Sequence, residues 1–127
     1  MMVTSFRGSG NTGLTPEGLP MLFSATIVRD HPWTVIHLAG ELDLLARPVG
    51  IGIIDGVMNT GSGRIILDFA DLTLIDTSGA TALLRMEQKA ERTGIDLVVV
   101  NPSPLALQVL QVCGFRDVIQ APMALAC

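Results

Sequence analysis

The chain has 127 residues, of which 49% are hydrophobic and 16% charged, with a formal net charge of −4. This length and composition predict one globular domain with a buried, mainly aliphatic core, and they exclude a disordered chain. Lys89 is the one lysine among the basic residues, so no basic stripe is available for nucleic acid. No apolar run approaches the ~20 residues of a membrane-spanning helix and no export signal opens the chain, so we expect a cytoplasmic protein.

The first segment of the chain, residues 1–20, is rich in Gly, Ser, Thr and Pro. It shows no sustained hydrophobic period and predicts a flexible arm before a domain over residues 21–127. Within the arm, GSGNTG at 8–13 matches the G-x-G-x-x-G pattern, but no strand precedes it and prolines follow it, so we expect no nucleotide cofactor. Cys113 and Cys127 lack metal-ligand spacing, and we expect neither a metal site nor a disulfide.

The elements predicted next alternate between strands and helices. An antiparallel hairpin is predicted from LFSATIVRD at 22–30 and WTVIHLAG at 33–40. The glycine-rich segment ARPVGIGIIDGVMN at 46–59 follows as a helix, and RIILDF at 64–69 as a short buried strand.

The second half of the chain continues the alternation. A second helix from Gly79 carries an apolar stripe of Leu83, Met86 and Ala90 and stops at Gly94. A strand in IDLVVVN, a helix in PSPLALQVLQVCGF and a last short strand in DVI complete the pattern. The fold class is therefore α/β: a single mixed sheet of about four to five strands, with an N-terminal antiparallel hairpin, parallel βα crossovers and helices packed on it.

The segment LTLIDTSGATALL at 72–84 places Asp76, Thr77 and Ser78 between a predicted strand and the second helix. Any of the three can cap the helix, which contributes about 1 kcal/mol. A single cap accounts for one side chain, while the free amides at a helix start also favour a phosphate, so a hydroxyl that accepts a phosphoryl group is chemically sensible here. Both interpretations stay open at this point.

Catalysis is the less favoured interpretation of the same segment. The G-x-S-x-G pattern of hydrolases needs a glycine where this chain has Asp76. His31 in a turn and His37 in a strand are expected to be structural. We therefore expect a protein that is not an enzyme, with an esterase using Ser78 as an alternative.

Three segments of the chain resemble the STAS domain family, and in particular the anti-sigma factor antagonists of bacteria. LAGELDLLA at 38–46 is similar to the family's L-x-G-E-L-D segment, and LIDTSGATALL at 74–84 to its D-S-[ST]-G-L segment. ERTGIDLVVVNPSPLALQVLQVCGF at 91–115 matches the G-x-x-L-x-L-x-x-x-x-P-x-V-x-x-x-L-x-x-x-G-L layout. The resemblance runs from about Leu22 to Ile119 and implies the STAS fold.

This resemblance implies a partner-switching protein. An anti-sigma factor that is a serine/threonine kinase using ATP would phosphorylate Thr77, with Ser78 as the fallback acceptor. The unphosphorylated protein would hold that kinase and so release a sigma factor, which it affects only indirectly, and a phosphatase would reset the site.

The implied partner-binding surface lies at the two motif segments, with Asp43 close to Thr77. It consists of Asp43, Leu44, Asp76, Thr77, Ser78, Gly79 and Ala80. The chain departs from the family pattern at Thr77, where serine is commoner, at Ala80, where the family has Leu or Ile, and at Ala46, where it has a hydroxyl cap. The alternative is a STAS scaffold or interaction module of a larger signalling or transport assembly, never phosphorylated at this corner. A weak homodimer is compatible with the sequence.

Overall fold

A computed structural model describes residues 2–7, 23–30, 32–61 and 63–119. Within these ranges the chain forms a six-stranded mixed sheet and three helices. The elements are β1 (Met2–Arg7), β2 (Phe23–Asp30), β3 (Trp33–Leu42), α1 (Arg47–Met58), β4 (Arg64–Ile75), α2 (Thr77–Thr93), β5 (Asp96–Val100), α3 (Pro104–Cys113) and β6 (Val118–Ile119).

The strands lie in the sheet in the same order as in the chain. β1, β2 and β3 pair antiparallel, and β3, β4, β5 and β6 pair parallel. The parallel connections from β3 to β5 run through α1 and α2, and the last one through α3. The predicted class, a mixed sheet with an N-terminal hairpin and βα crossovers, is confirmed.

Strand β1 was not predicted from the sequence. It pairs with β2 from Met2 opposite Arg29 to Arg7 opposite Ser24, whereas the composition of residues 1–20 predicts an arm without regular structure. The structure places a strand within that segment, since Val3, Thr4 and Phe6 suit a strand, and the glycines that follow from Gly8 onward obscure the signal. The rest of the arm, with GSGNTG, as well as His31 and Cys127, lies outside the described residues.

Strand β4 is longer than predicted and carries the chain directly to the DTSG corner. It runs unbroken for 12 residues, where the sequence predicts a strand ending at Phe69. Its pairing with β3 shifts register between His37 and Ala39 and again between Gly40 and Glu41. Such bulges let a strand bend while pairing continues, so β3 and β4 end side by side, with Leu42 opposite Ile75.

The hydrophobic core is mainly aliphatic, as the composition predicts. Ile36, Leu67 and Leu97 on the strands and Ile54 and Leu83 on the helices are fully buried within one cluster. Lys89 of α2 forms an ion pair with Asp55 of α1 at the edge of this cluster. In the described part of the chain, no helix has the length and apolar character needed to cross a membrane.

A buried polar network joins β3, β4 and the residue that follows β5 at the bulge. Asp68, only 7% exposed, lies with Oδ2 2.7 Å from His37 Nδ1, while its Oδ1 accepts from Asn101 Nδ2 and the Ala70 amide, each at 3.0 Å. Buried polar groups are retained when they are satisfied in this way. His37 is thus held inside the sheet, consistent with the structural role expected for it.

Glu87 is a second buried acid, on the inner side of α2. It is 4% exposed, and its Oε2 accepts from the amides of Asp117 at 3.0 Å and Arg116 at 3.4 Å. Burial raises the pKa of Glu87 above its ordinary value; the amide of Asp117 lowers the pKa and the charge of Asp117 raises it. Glu87 therefore fixes the segment before β6 at the cost of holding a carboxyl away from water.

We expect Glu87→Gln to increase the free energy of unfolding at pH 7 relative to the original chain. A carboxyl whose pKa is raised by folding contributes its stability below its unfolded pKa and loses that contribution as the pH rises through its folded pKa. The advantage of glutamine should therefore vanish towards pH 4. Urea unfolding between pH 4 and pH 8 measures it, with the exposed Glu91→Gln, one turn further along α2, as the control. Equal pH dependence in both variants would contradict the prediction.

Candidate functional site

The DTSG corner begins where β4 ends, and Asp76 is the residue that caps α2. Asp76 has an extended backbone, with φ −96° and ψ 178°, and its Oδ1 accepts from the Gly79 amide at 2.8 Å. This is the N-cap geometry in which a carboxylate satisfies a free amide and complements the positive end of the helix dipole. Of the three polar residues that the sequence leaves as candidates, the structure assigns the cap to Asp76, and the helix begins at Thr77 instead of Gly79.

The second motif acid, Asp43, organises the turn that leads into α1. Its Oδ1 accepts from the amides of Leu45 at 3.1 Å and Ala46 at 3.0 Å, and its carbonyl accepts from the Arg47 amide at 2.9 Å. Ala46, the N-cap of α1, has no side-chain hydrogen bond to the helix. Asp43 therefore fixes the turn before α1, and the helix begins without a side-chain cap.

The two motif segments lie next to each other because β3 and β4 end together. The Asp76 amide donates to the Leu42 carbonyl at 3.4 Å, which brings the Asp43 turn beside the DTSG corner. Among the described residues, however, no hydrogen bond joins Asp43 to Thr77. The carboxylate of Asp43 instead accepts hydrogen bonds from the amides of the turn that follows it.

Gly79 lies where α2 crosses closest to the end of β3. A Cβ atom at this position would lie 2.5 Å from the Leu42 carbonyl oxygen and 3.2 Å from Ile75 Cγ1. No side chain fits there, so the glycine of the motif has a packing reason. Ala80, the next residue, is completely buried.

These positions correct part of the predicted partner-binding surface. Gly79 and Ala80 are both buried inside the protein, so neither offers a surface for direct contact with a partner. They act by positioning the corner. Ala80 belongs to the hydrophobic core, so its small side chain affects packing inside the protein and not the size of an apolar contact with a partner.

The two hydroxyls of the corner have different surroundings. Thr77 is exposed, and no hydrogen bond joins its hydroxyl to any residue in the described ranges. Ser78 is half-buried, and its Oγ accepts a hydrogen bond from Arg47 Nη1 at 3.1 Å. A guanidinium donates protons and cannot accept one, so the neighbour of Ser78 is not the general base that an esterase would need.

A groove of about 580 Å³ runs between α1 and α2 beside the corner. Two arginines, Arg47 and Arg85, lie in its walls together with both hydroxyls of the corner. The complete lining is Arg47, Pro48, Ile51, Thr77, Ser78, Thr81, Ala82, Arg85 and Met86. Sequence periodicity could not reveal this groove, because Arg47 and Ser78 are 31 positions apart.

Exposed leucines lie on the two segments that meet at the corner. Leu44 is 59%, Leu45 42% and Leu74 41% exposed; we call these three residues the leucine patch. Leu44 and Leu45 follow β3, and Leu74 lies one residue before the end of β4. Exposed apolar side chains grouped around a polar site are typical of interaction surfaces. Among the described residues, no cluster of His, Cys, Asp and Glu could hold a metal ion.

The sequence and the fold of the chain are similar to those of one known protein family. Residues 24–126 match the family model described as the STAS domain. The anti-sigma factor antagonist SpoIIAA in its unphosphorylated form is 27% identical, with a TM-score of 0.67 over 76% of this chain and 87% of that chain. The phosphorylated form of this Bacillus protein matches with a TM-score of 0.63 over 76% and 90% of the two chains.

Transporters form a second group of similar proteins. Sulfate transporter 2.1 of Arabidopsis thaliana is 42% identical over 53 residues, which is 42% of this chain and 8% of that protein. The murine anion transporter Slc26a9 has a TM-score of 0.61 at 13% identity, over 88% of this chain and 18% of that chain, a likeness in fold alone. The chain spans about a tenth of the length of the curated relatives it matches.

Proposed function

The chain belongs to the STAS domain family, and from this premise we propose that it is an anti-sigma factor antagonist. In this role it binds an anti-sigma factor that is a serine/threonine kinase and thereby releases a sigma factor. The observation that supports the proposal best is the exposed Thr77 hydroxyl at the first position of α2. SpoIIAA, which is 27% identical to this chain over the part that aligns, has been solved in both unphosphorylated and phosphorylated forms.

The proposed partner surface consists of the leucine patch, Thr77 and the exposed edge of the Asp43 turn. The apolar patch would provide the attraction, because burying exposed leucine surface is favourable. A phosphoryl group on Thr77 adds about 1.5 to 2 negative charges at pH 7. Adding this charge to an interface that already contains Asp43 and Asp76 costs about 2 to 5 kcal/mol, and each 1.4 kcal/mol is tenfold in affinity. A local modification is therefore sufficient to release the partner.

Phosphorylation of this corner tests the proposal. We expect the chain, incubated with ATP and the anti-sigma factor kinase of its source organism, to gain one phosphoryl group by intact mass. Thr77→Ala should abolish the gain, because it removes the accessible oxygen. Ser78→Ala, the matched control one residue away, should still be labelled, since the Ser78 hydroxyl is held by Arg47. An unmodified original chain, or equal labelling of both variants, would contradict the proposal.

A second candidate is supported by the sequence similarity to plant sulfate transporters. Under this alternative the chain is a STAS module of a larger signalling or transport assembly, and the corner is never phosphorylated. Size-exclusion chromatography with candidate partners separates the two. A small complex that dissociates on phosphorylation supports the antagonist, while a large complex that is insensitive to ATP supports the module.

A further inference from the structure

At the DTSG corner, Arg47 and Arg85 are cations without a carboxylate partner among the described residues. In the described part of the chain, neither forms an ion pair, whereas Arg64 pairs with Asp96 and Lys89 with Asp55. The one described side-chain hydrogen bond of Arg47 goes to a neutral hydroxyl, Ser78 Oγ. An uncompensated guanidinium is thus held in place beside Thr77.

The two acids of the motif segments already accept hydrogen bonds from backbone amides. Asp43 Oδ1 accepts from the amides of Leu45 and Ala46, and Asp76 Oδ1 accepts from the Gly79 amide. The corner therefore combines two carboxylates fixed by backbone amides with one arginine fixed by a hydroxyl. In a chain with a net charge of −4, an arginine free of carboxylate contacts in a groove is suited to an incoming anion.

We propose that Arg47 captures the phosphoryl group carried by Thr77, exchanging its hydrogen bond to Ser78 for phosphoryl oxygens. The inference rests on the proposed function and specifies how its switch works. Arg47 and Thr77 line the same groove, and a guanidinium has five N–H donors, of which Ser78 occupies one. Arg85, in the wall of that groove, is the second cation that the phosphoryl group would meet.

The chemical step is an ordinary phosphoryl transfer. Thr77 Oγ1 attacks the γ-phosphorus of the ATP held by the kinase, a new oxygen–phosphorus bond forms, and the bond from the γ-phosphorus to the bridging oxygen breaks. ADP leaves, and the hydroxyl proton passes to the kinase or to solvent. Arg47 takes no part in bond making; it is a positioning residue for the product.

This capture changes what the partner encounters. Before phosphorylation, the donors of Arg47 that Ser78 does not use are available to an acceptor on the partner. Afterwards the phosphoryl group occupies them, so the docking surface gains a negative group and loses an available cation at the same time. One covalent change thus removes an attraction and adds a repulsion.

The ionisation of the phosphoryl group itself tests the inference without any kinase. Phosphothreonine is installed at position 77 during translation, and its second ionisation, with an ordinary pKa of about 6, is followed by phosphorus NMR. A cation within about 4 Å should lower that pKa by about 0.7. We expect this shift in the original chain, its loss in Arg47→Gln, and its retention in Arg92→Gln, which removes the same charge roughly 22 Å along α2.

Each outcome of the titration decides the inference. The inference is overturned if the phosphoryl pKa is the same in the original chain and in Arg47→Gln. It is also overturned if the pKa rises in the Arg92→Gln control as much as in Arg47→Gln. Folding of the variants is verified by the unfolding transition of Trp33, the one tryptophan. Failure of the kinase to label Thr77 would refute the proposed function and leave this titration unchanged, so the two failures are distinguishable.

Discussion

Replacing Gly79 with alanine is expected to lower the free energy of unfolding by about 3 kcal/mol, the upper end of the cost of overpacking. The new methyl group would lie 2.5 Å from the Leu42 carbonyl oxygen, and a backbone atom in a sheet cannot move aside as a side chain can. Relief requires the start of α2 to move away from the end of β3. The same displacement would disturb the Asp76 cap and the position of Thr77.

Two other glycines provide the matched control for this substitution. Gly52 and Gly56 lie within α1, and a Cβ atom at either position meets nothing within 4 Å. Alanine should stabilise the protein there by up to ~1 kcal/mol, because glycine is a poor helix former. Urea unfolding followed by Trp33 fluorescence measures all three variants. If the free energy of unfolding of Gly79→Ala lies within about 0.5 kcal/mol of that of the original chain, the close approach of α2 to Leu42 does not constrain the corner.

Replacing Asp68 with alanine should cost a comparable amount, about 3 kcal/mol, by leaving buried polar groups unsatisfied. His37 Nδ1, Asn101 Nδ2 and the Ala70 amide all lie within 3.0 Å of the Asp68 carboxylate. Removing that carboxylate leaves donors on β3, on β4 and just after β5 without an acceptor. The loss therefore affects the sheet as a whole.

The control for Asp68 lies three residues further along the same strand. Asp71 is exposed, and Asp71→Ala should change the free energy of unfolding by less than about 0.5 kcal/mol. Thermal unfolding by circular dichroism, run on both variants at the same pH, measures the difference. Similar melting temperatures for the two would show that the network contributes little.

Local patterns in the sequence were sufficient for most elements and for the position of the DTSG corner between a strand and a helix. The apolar stripe of α2 and the glycines at 94 and 114 predict where α2 and α3 lie and end, and both glycines adopt the left-handed conformation expected of a helix end. The DTSG segment also identified the exposed Thr77. Each of these signals depends on residues within a few positions of one another.

Features that depend on distant contacts were not predictable from the same patterns. The pairing of β1 with β2, the continuation of β4 past Phe69 and the hydrogen bond from Arg47 to Ser78 each need two segments to meet in space. The burial of Gly79 and Ala80 belongs to the same class, because it follows from the close approach of α2 to Leu42. Hydrophobic periodicity carries no information on which partner a residue meets across the fold.

The amide contacts of Asp43 and Asp76 have a consequence for how binding would proceed. Both turns beside Thr77 are held by their own carboxylates before any partner arrives. A preorganised segment gives up little conformational entropy on association, so the corner would enter a complex in the shape it already has. Discrimination between partners would then depend on charge and fit alone, with no ordering of the loop to slow their exchange.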